Sequence, residues 1–324
     1  MKTEISANTQ AILLLTAPLA SSEKAPLVTP ARYRKLATAL FEASLEPADF
    51  LGMRRSEAID VCREILSEGD AEVLLARGLQ LGQALERWNS RAIWVISRAD
   101  DEYPKILKDR LGLLAPPLLY GCGDLEIVKE SGLAVVGSRN IDQELMEETD
   151  EVARVAAMAG FSIVSGGARG IDATAMNAVL AAQGKCVGVL ANNLFRTVLE
   201  RHLREPLMES RLLLLSPYDP EVRFQVWNAM DRNKYIYALS SAGLVMNADL
   251  EKGGTWSGAV EILEKLRFIP LYVRTTEKPS KALEALKNKG ALPWPKNITE
   301  DVFKQIMVRD PSSSGDSMEQ GELF

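Results

Sequence analysis

Apolar and polar positions divide the chain into a helical first stretch and a longer stretch in which short apolar runs alternate with helical patterns. Up to about residue 90, apolar side chains recur at helical spacing, and strand-like alternation is lacking. A helix is predicted to begin at Pro30 with Thr29 as its N-cap, because proline is favoured at the first helical position. Three further helices are predicted at about Ser56–Leu66, Asp70–Leu75 and Leu81–Trp88.

The segment Leu75–Gly82, between two of these helices, bears a faint similarity to a helix-hairpin-helix. In that motif the backbone amides of the hairpin hold a DNA phosphate. An ordinary helix–helix turn built on Gly78 accounts for the same residues, and we favour this interpretation. Residues 1–90 are therefore predicted to form a small all-helical domain, of the SAM or helix-hairpin-helix type if the motif is genuine.

Short apolar runs rich in β-branched residues follow from about residue 91. Ala92–Ile96 and Pro116–Tyr120 are predicted to be strands that lead into the main domain. The strands of that domain are predicted at Leu133–Val136, Ser162–Val164, Cys186–Leu190, Leu212–Leu215, Leu244–Met246 and Ile269–Val273. Helical patterns fill the gaps and follow the last strand, at about Glu144–Ala159, Ile171–Ala182, Thr197–Leu203, Phe224–Leu239, Thr255–Leu266 and Pro279–Lys289.

Six strands separated by helices indicate an α/β fold with a parallel sheet that is covered on both faces. We assign residues 91–300 to this doubly wound domain. Residues 301–324 are predicted to hold the end of a short helix, about Glu300 to Met307, and a disordered tail rich in Ser, Gly and acidic residues.

The composition narrows the class of protein. A net charge of −6 argues against a protein that coats nucleic acid non-specifically, so any nucleic-acid site must be a local basic patch. Three widely spaced cysteines suit a reducing cytoplasm, and the longest early apolar run, Ala11–Leu15, is too short to cross a membrane. His202 is the only histidine, which argues against Ser-His-Asp, Cys-His and multi-histidine metal chemistry. We therefore expect a cytoplasmic protein without a metal centre.

Ser165–Asp172 is a glycine-rich segment between a predicted strand and a predicted helix. A glycine backbone can approach a phosphate closely, and the N–H groups of a first helical turn point towards such an anion. Arg169 adds guanidinium donors within the loop. Because a tight strand-to-helix turn can also need glycine for its shape alone, this loop by itself leaves a structural role open.

Other segments near strand ends carry glycine, hydroxyl groups or cations, and parallel topology brings strand-end loops to one edge of the sheet. Together they predict a site for several phosphates, although each charge alone could be a solvated surface residue. The candidate residues are Gly137, Ser138, Arg139, Ser165, Gly166, Gly167, Arg169, Gly170, Arg232, Asn233, Lys234, Lys252, Gly253, Gly254 and Thr255.

Two common nucleotide motifs are missing. No Gly-x-Gly-x-x-Gly follows the first strand and no Gly-Lys-Ser/Thr loop occurs, which argues against NAD-dependent and P-loop chemistry, and we expect no cofactor. Phe195, Trp227 and Trp256 lie beside the candidate loops in sequence and could stack on bases. For each of these aromatic residues, packing in the core is the favoured interpretation.

Three segments carry a resemblance to a known family: Val135–Arg139, Ser165–Asp172 and Arg232–Ser240, in this order. They closely resemble motifs of the DNA-processing protein A (DprA/Smf) family, and the resemblance covers about residues 93–274. It implies an extended Rossmann-like domain that binds single-stranded DNA without enzymatic turnover and assists a RecA-type recombinase, usually as a homodimer. The DNA-binding residues that the resemblance implies are Gly137, Ser138, Arg139, Ser165, Gly166, Gly167, Arg169, Arg232 and Asn233.

The chain also departs from that family's pattern. After Gly-Ile-Asp the family usually carries Ala-His, whereas this chain has Ala173–Met176 without histidine. The loop Lys252–Trp256 differs from the usual Ser-Gly-x-x-x-Thr-Ala pattern, and we expect no C-terminal winged helix of the kind that many members carry. The resemblance is therefore to a divergent branch.

Gly253–Thr255 together with Glu261 allows a different function. These residues partly resemble the Pro-Gly-Gly-x-Gly-Thr loop of nucleoside-monophosphate phosphoribohydrolases of the LOG family, which cleave an N-glycosidic bond. A carboxylate beside a ribose and a cationic phosphate cradle would suffice for such chemistry. A nucleotide sensor or hydrolase of this type is the alternative to DNA binding.

The last five residues are Gln-Gly-Glu-Leu-Phe. They resemble the Gln-x-x-Leu-Phe peptide that docks proteins on the bacterial sliding clamp. A flexible acidic tether with two apolar anchors suits groove binding, although an incidental terminus explains so short a match equally well. The candidate clamp-binding residues are Gln320, Leu323 and Phe324.

Overall fold

The computed structural model describes residues 5–20, 25–277 and 280–308. Its strands are β1 Trp94–Ser97, β2 Leu118–Gly123, β3 Gly132–Val136, β4 Ser162–Ser165, β5 Cys186–Val189, β6 Leu212–Ser216, β7 Ala242–Val245, β8 Leu271–Val273 and β9 Leu292–Pro293. Its α-helices up to β6 are α1 Ala7–Thr16, α2 Pro30–Glu42, α3 Arg55–Val61, α4 Glu68–Leu75, α5 Gly78–Asn89, α6 Lys105–Leu111, α7 Gln143–Met158, α8 Ile171–Ala181, α9 Leu194–Thr197 and α10 Arg201–Met208.

The α-helices after β6 are α11 Val226–Asp231, α12 Asn233–Ala238, α13 Gly253–Glu261, α14 Lys281–Asn288 and α15 Glu300–Val308. Short 3-10 helices lie at Pro47–Leu51, Gly112–Leu114 and Leu125–Lys129, and a π-helical turn at Ile262–Leu266 continues α13. The helix predicted over Phe224–Leu239 is in fact two helices, α11 and α12, with a turn at Arg232 between them. The single helix predicted over Thr197–Leu203 is likewise replaced by α9 and α10.

The chain divides into two compact units that are not continuous in sequence. The first unit comprises the residues up to Gly123 together with Leu190–Glu205 and Leu214–Gln225. The second comprises Asp124–Val189, Pro206–Leu213 and the residues from Val226 onward. The sequence boundaries predicted at about residues 90 and 300 stay a prediction.

A buried helix, α1, organises the helical part of the first unit. Ala11–Leu15 are at most 1% exposed, and the helix packs against α4, α5 and the strands β1 and β2. Its apolar residues cover every side, which is typical of a helix inside a core and gives no amphipathic pattern in the sequence. Sequence analysis therefore missed α1, whereas it predicted α2 with Thr29 as N-cap correctly: the Thr29 hydroxyl accepts from the Arg32 N–H at 3.4 Å.

Arg77, in the turn between α4 and α5, is 3% exposed and donates hydrogen bonds to the carbonyl groups of Leu14 and Ala17. These carbonyl groups lie at the C-terminal end of α1, where a helix has no backbone partners of its own. The side chain thus satisfies the end of a buried helix. This arrangement supports the interpretation of Leu75–Gly82 as an ordinary turn.

The second unit contains a parallel sheet with the strand order β5-β4-β3-β7-β8-β9. Every residue of β3, β4, β5, β7 and β8 is buried. The helices α7 and α8 pack on each other, and α8 packs on β3 and β4. The parallel α/β fold predicted from the sequence is confirmed. Successive strands run outward from β3 in one direction and then from β7 in the other, so the switch point lies between β3 and β7.

Two further observations concern the bulk properties. Among the residues that the structure describes, no helix combines the length and hydropathy needed to cross a membrane. Cys62, Cys122 and Cys186 are buried and form no disulfide.

The helix α15 is anchored in the second unit by Phe303, which is fully buried between the rings of Phe161 and Trp294, with centroids at 5.5 and 6.1 Å. Phe303→Ala is expected to lower the free energy of unfolding by ~3–5 kcal/mol, because it leaves a cavity among these rings. Urea unfolding measures the change. Val308→Ala on the same helix is the control: Val308 is 82% exposed, and we expect a change within ~0.5 kcal/mol. Equal effects of the two changes would contradict the anchoring role.

Candidate nucleic-acid interface

The loops that follow β3, β4 and β7 meet at the carboxyl edge of the parallel sheet. The Ser138 N–H donates to the Asn247 side-chain oxygen at 2.8 Å, and the Thr255 hydroxyl donates to the Gly137 carbonyl group at 3.0 Å. The Ile171 N–H donates to the Ser138 carbonyl group at 3.3 Å. The segments that sequence analysis grouped from topology alone therefore lie in direct contact.

Neighbouring atoms approach the backbone of the loop after β4 so closely at two positions that only glycine fits there. A Cβ on Gly166 would lie 1.3 Å from Nη1 of Arg232. A Cβ on Gly170 would lie 2.3 Å from the Ser138 carbonyl oxygen, and the φ of Gly170, +85°, is itself unfavourable for other residues. These glycines thus shape the loop by admitting neighbouring groups of the protein.

Asp172, in the first turn of α8, lies at the centre of the loops and is 5% exposed. The backbone N–H groups of Gly137, Gly166 and Ala168 lie near its carboxylate and favour its ionised form. Burial raises the pKa of this carboxyl above its ordinary value, while the nearby Arg232 and the three N–H groups act in the opposite direction. A carboxylate of the protein itself therefore lies beside these amides.

This finding bears on one expectation. Sequence analysis offered the amides of the loop and of the first helical turn to a phosphate and left a structural role of the loop open. In the structure, the Gly137, Gly166 and Ala168 amides lie near the Asp172 carboxylate, and the Ala173 N–H donates to the Ala168 carbonyl group at 2.9 Å.

Arg232, at the turn between α11 and α12, extends beneath Gly166, and its side chain is 5% exposed. Its Nη1 donates to the Val189 carbonyl group at 2.8 Å, and its Nη2 lies 3.8 Å from Oδ2 of Asp172. This guanidinium connects the end of β5 with the loop after β4. The buried Arg232 side chain therefore supports the loop from inside the protein.

The two residues after Arg232 are also held by the protein. The Asn233 side chain is buried and donates to the Gly254 carbonyl group at 2.9 Å, which ties α12 to the start of α13. The Lys234 ammonium forms an ion pair with Asp231 and lies 5.0 Å from the centroid of the Tyr235 ring. The Lys234 side chain is 12% exposed.

Other candidate residues reach the surface. Arg139, after β3, and Arg169, after β4, are exposed, and their loops touch because Gly170 packs against the Ser138 and Arg139 backbone. Lys252 is exposed at the N-cap of α13. The candidate residues therefore separate into groups by burial. Exposed are Arg139, Gly167, Arg169, Lys252 and Gly253; half-buried are Gly137, Ser138, Gly170, Lys234, Gly254 and Thr255; buried are Ser165, Gly166, Arg232 and Asn233.

Ser165 and Thr255 use their hydroxyl groups within the protein. The Ser165 hydroxyl is fully buried and donates to the Val135 carbonyl group at 2.6 Å, which fastens β4 to β3. Thr255 bonds to Gly137, as described above. Glu261, the carboxylate considered for N-glycosidic cleavage, is half-buried at the last residue of α13.

Sequence analysis missed two residues of this arrangement, Asp172 and Asn247. Each had a usable signal. Asp172 is an acidic residue in the first turn of a predicted helix, where it is electrostatically favoured. Asn247 is the first polar residue after the buried run Ala242–Met246.

Comparison with known proteins adds an independent line of evidence. Residues 94–306 match the sequence model of a family described as DNA recombination-mediator protein A. The DNA processing protein DprA of Bacillus subtilis (strain 168) is 29% identical over 191 residues, which cover 58% of this chain and 63% of that protein. Protein Smf of Escherichia coli (strain K12) is 34% identical over 140 residues, covering 43% of this chain and 37% of that protein. The chain thus spans less than two thirds of the length of these curated relatives.

Two solved structures are similar as well. The X-ray structure of DprA from Streptococcus pneumoniae superposes with a TM-score of 0.68 at 20% identity, over 93% of this chain and 98% of that chain, which shows a shared fold. DprA from Helicobacter pylori, a structure described for its single-stranded DNA binding mode, matches with a TM-score of 0.50 at 26% identity over 62% of this chain and 90% of that chain.

The family resemblance seen in the three sequence motifs is therefore confirmed. The matched region contains β3, β4, β7 and the loops that meet at their carboxyl ends. Because the family's sequence model covers well over half of its length, this chain belongs to the DNA recombination-mediator protein A family.

Proposed function

We propose that this protein binds single-stranded DNA at the carboxyl edge of its parallel sheet and acts in DNA processing and recombination. The observation that carries the proposal is the pair of exposed arginines, Arg139 and Arg169, on two touching loops. With the exposed Lys252 they supply the local basic patch that a net charge of −6 requires of any nucleic-acid site in this chain. The family relationship and the H. pylori relative support the same ligand.

In this proposal the buried and exposed residues have different tasks. Arg139, Arg169 and Lys252 contact phosphates, and the polymer spans the two loops and the start of α13. Arg232 and Asp172 hold the loops in shape from below, so we propose a structural role for Arg232 in place of the phosphate contact expected from the sequence. Side chains that contact only the backbone of a strand bind all base sequences alike.

The wider assignment follows from the family. We propose that binding occurs in the cytoplasm without chemical turnover, that the protein assists a RecA-type recombinase, and that it acts as a homodimer. Docking on the sliding clamp through Gln320, Leu323 and Phe324 stays a prediction, because these residues lie outside the part of the chain that the structure describes.

The proposal is tested with oligo(dT) of increasing length and with nucleoside monophosphates. We expect affinity that rises with oligonucleotide length, falls with salt, and is accompanied by no release of free base. Fluorescence anisotropy measures the binding, and chromatography of the nucleotide mixture measures the release. Base release from a monophosphate, with no binding of oligo(dT), would instead support the hydrolase alternative.

Arg139→Ala and Arg169→Ala are each expected to weaken binding of oligo(dT) and of mixed-sequence oligonucleotides by the same factor. Each lost phosphate contact should reduce the slope of log K against log salt concentration by about 0.7. Arg154→Ala is the matched control, because Arg154 is exposed well along α7 and pairs with Asp150. An unchanged salt slope in both variants would contradict the assignment of these arginines to phosphate.

Asp172→Ala is expected to lower the free energy of unfolding by ~3–5 kcal/mol, because it removes the carboxylate beside the buried Arg232 guanidinium. Asp172→Asn keeps an acceptor for the loop amides and should lose less. In each variant that still folds, the affinity for oligo(dT) should fall, while the slope of log K against log salt concentration stays that of the unaltered protein. Urea unfolding and salt titrations measure the two effects. A reduced slope would show that Asp172 and its arginine influence phosphate contacts directly.

A further inference from the structure

An exposed tryptophan lies beside the candidate interface. Trp227, on α11, is 67% exposed, whereas Trp88, Trp256 and Trp294 are at most 9% exposed and Trp94 is half-buried. The sequence-based expectation that Trp227 packs in the core is therefore wrong, while the same expectation for Trp256 is confirmed. A large aromatic ring left in water needs a reason, because burying it is worth more than burying most other side chains.

Two other exposed apolar side chains, Val226 and Met230, lie beside Trp227 on α11. On the same helix, Val226 is 60% exposed and Met230 is 41% exposed. Met230 follows Val226 by four residues and Trp227 by three, and residues at these spacings are neighbours on a helix surface. These residues form an apolar strip, which we name the α11 strip: Val226, Trp227 and Met230. Single exposed apolar residues are ordinary on protein surfaces, whereas adjacent ones that include a tryptophan make the α11 strip a candidate contact surface.

The position of the α11 strip connects it to the candidate interface. The helices α11 and α13 pack together, and the Met230 Cγ lies 3.8 Å from the position that a Cβ on Gly254 would take. The exposed Lys252 precedes Gly254 at the N-cap of α13. Met230 of the α11 strip therefore lies beside the glycine-rich start of α13.

We propose that the α11 strip is a base-stacking platform, on which Trp227 stacks against a base of a bound single strand and Met230 extends the apolar contact. This inference rests on the proposed function, since it needs a strand whose phosphates are held at the neighbouring loops. A single strand offers unpaired bases beside a charged backbone, and an aromatic face next to cations matches both parts. Every base has a π-face, so such a platform adds affinity without selecting a sequence.

The chemistry favours a strand over a mononucleotide. A mononucleotide would be held by one phosphate cradle with its base in an enclosed pocket, whereas Trp227 is two-thirds exposed on a surface helix. An open aromatic surface gains most from a ligand that is tethered to it by further contacts. Phosphates bound at Arg139 and Arg169 provide that tether in the proposed complex.

Trp227→Leu tests the proposal, because leucine keeps an apolar side chain but removes the ring. We expect the affinity for oligo(dT) to fall about 5- to 150-fold, the range for one stacked base. Trp227→Phe should retain most of the affinity and lose the quenching of tryptophan fluorescence that oligo(dT) causes in the unaltered protein. Phe41→Leu is the control: Phe41 is 83% exposed on α2, and its replacement should leave binding unchanged.

An oligonucleotide of the same length in which every nucleotide is abasic separates stacking from phosphate contacts. The unaltered protein and Trp227→Leu should bind this probe equally, because it offers phosphates but no base to stack. Binding of oligo(dT) by Trp227→Leu at the unaltered affinity would overturn the platform while leaving the proposed function intact. A change in sedimentation of Trp227→Leu with unchanged DNA affinity would overturn it in favour of a contact between copies of this chain. Absence of oligo(dT) binding by the unaltered protein would overturn the proposed function itself.

Discussion

The contact between Asp172 and Arg232 is the interaction on which the shape of the site depends. Neither side chain is more than a tenth exposed, and each holds backbone from a different part of the sheet edge. The carboxylate lies near N–H groups of the loops after β3 and β4, and the guanidinium donates to the carbonyl group of Val189 at the end of β5. A buried charge pair of this kind contributes little net stability compared with apolar residues, but removing one partner is costly. Its contribution here is to fix the positions of the loops after β3 and β4 relative to the end of β5.

That arrangement also decides which groups are left for a ligand. A glycine-rich loop before a helix usually binds an anion through its amides. In this protein an internal carboxylate lies beside those amides, so in the proposed complex the attraction for a nucleic acid comes from cationic side chains at the surface. Salt weakens such contacts, and they do not distinguish one base sequence from another. The proposed base-stacking platform would supplement them with a contribution that is insensitive to salt, and the two together would suit a flexible, unpaired strand.

The sequence predicted the parallel sheet well and the roles of individual site residues poorly, for identifiable physical reasons. Strands such as β3 and β4 are buried on both faces, so continuous apolar runs mark them clearly. Parallel topology then implies that their loops converge. Burial of a polar side chain leaves no such pattern in the sequence. Arg232 is buried and Arg169 is exposed, although both lie among small or polar residues in the sequence. The same ambiguity hid Trp227, whose exposure depends on how α11 is turned against α13, and α1, which lacks a polar side altogether.

The hydrogen bonds that join the loops have a consequence for how the site forms. Ser138 and Asn247 are 109 residues apart in sequence, and Gly137 and Thr255 are 118 apart. Contacts of such separation form late, because the entropy of closing a long loop has to be overcome before they stabilise anything. During synthesis the first glycine loop leaves the ribosome long before the residues that fasten it. A nascent chain therefore lacks the contacts made by Asn247 and Thr255 until the residues after β7 have emerged, so the loop after β3 is fastened only late in synthesis.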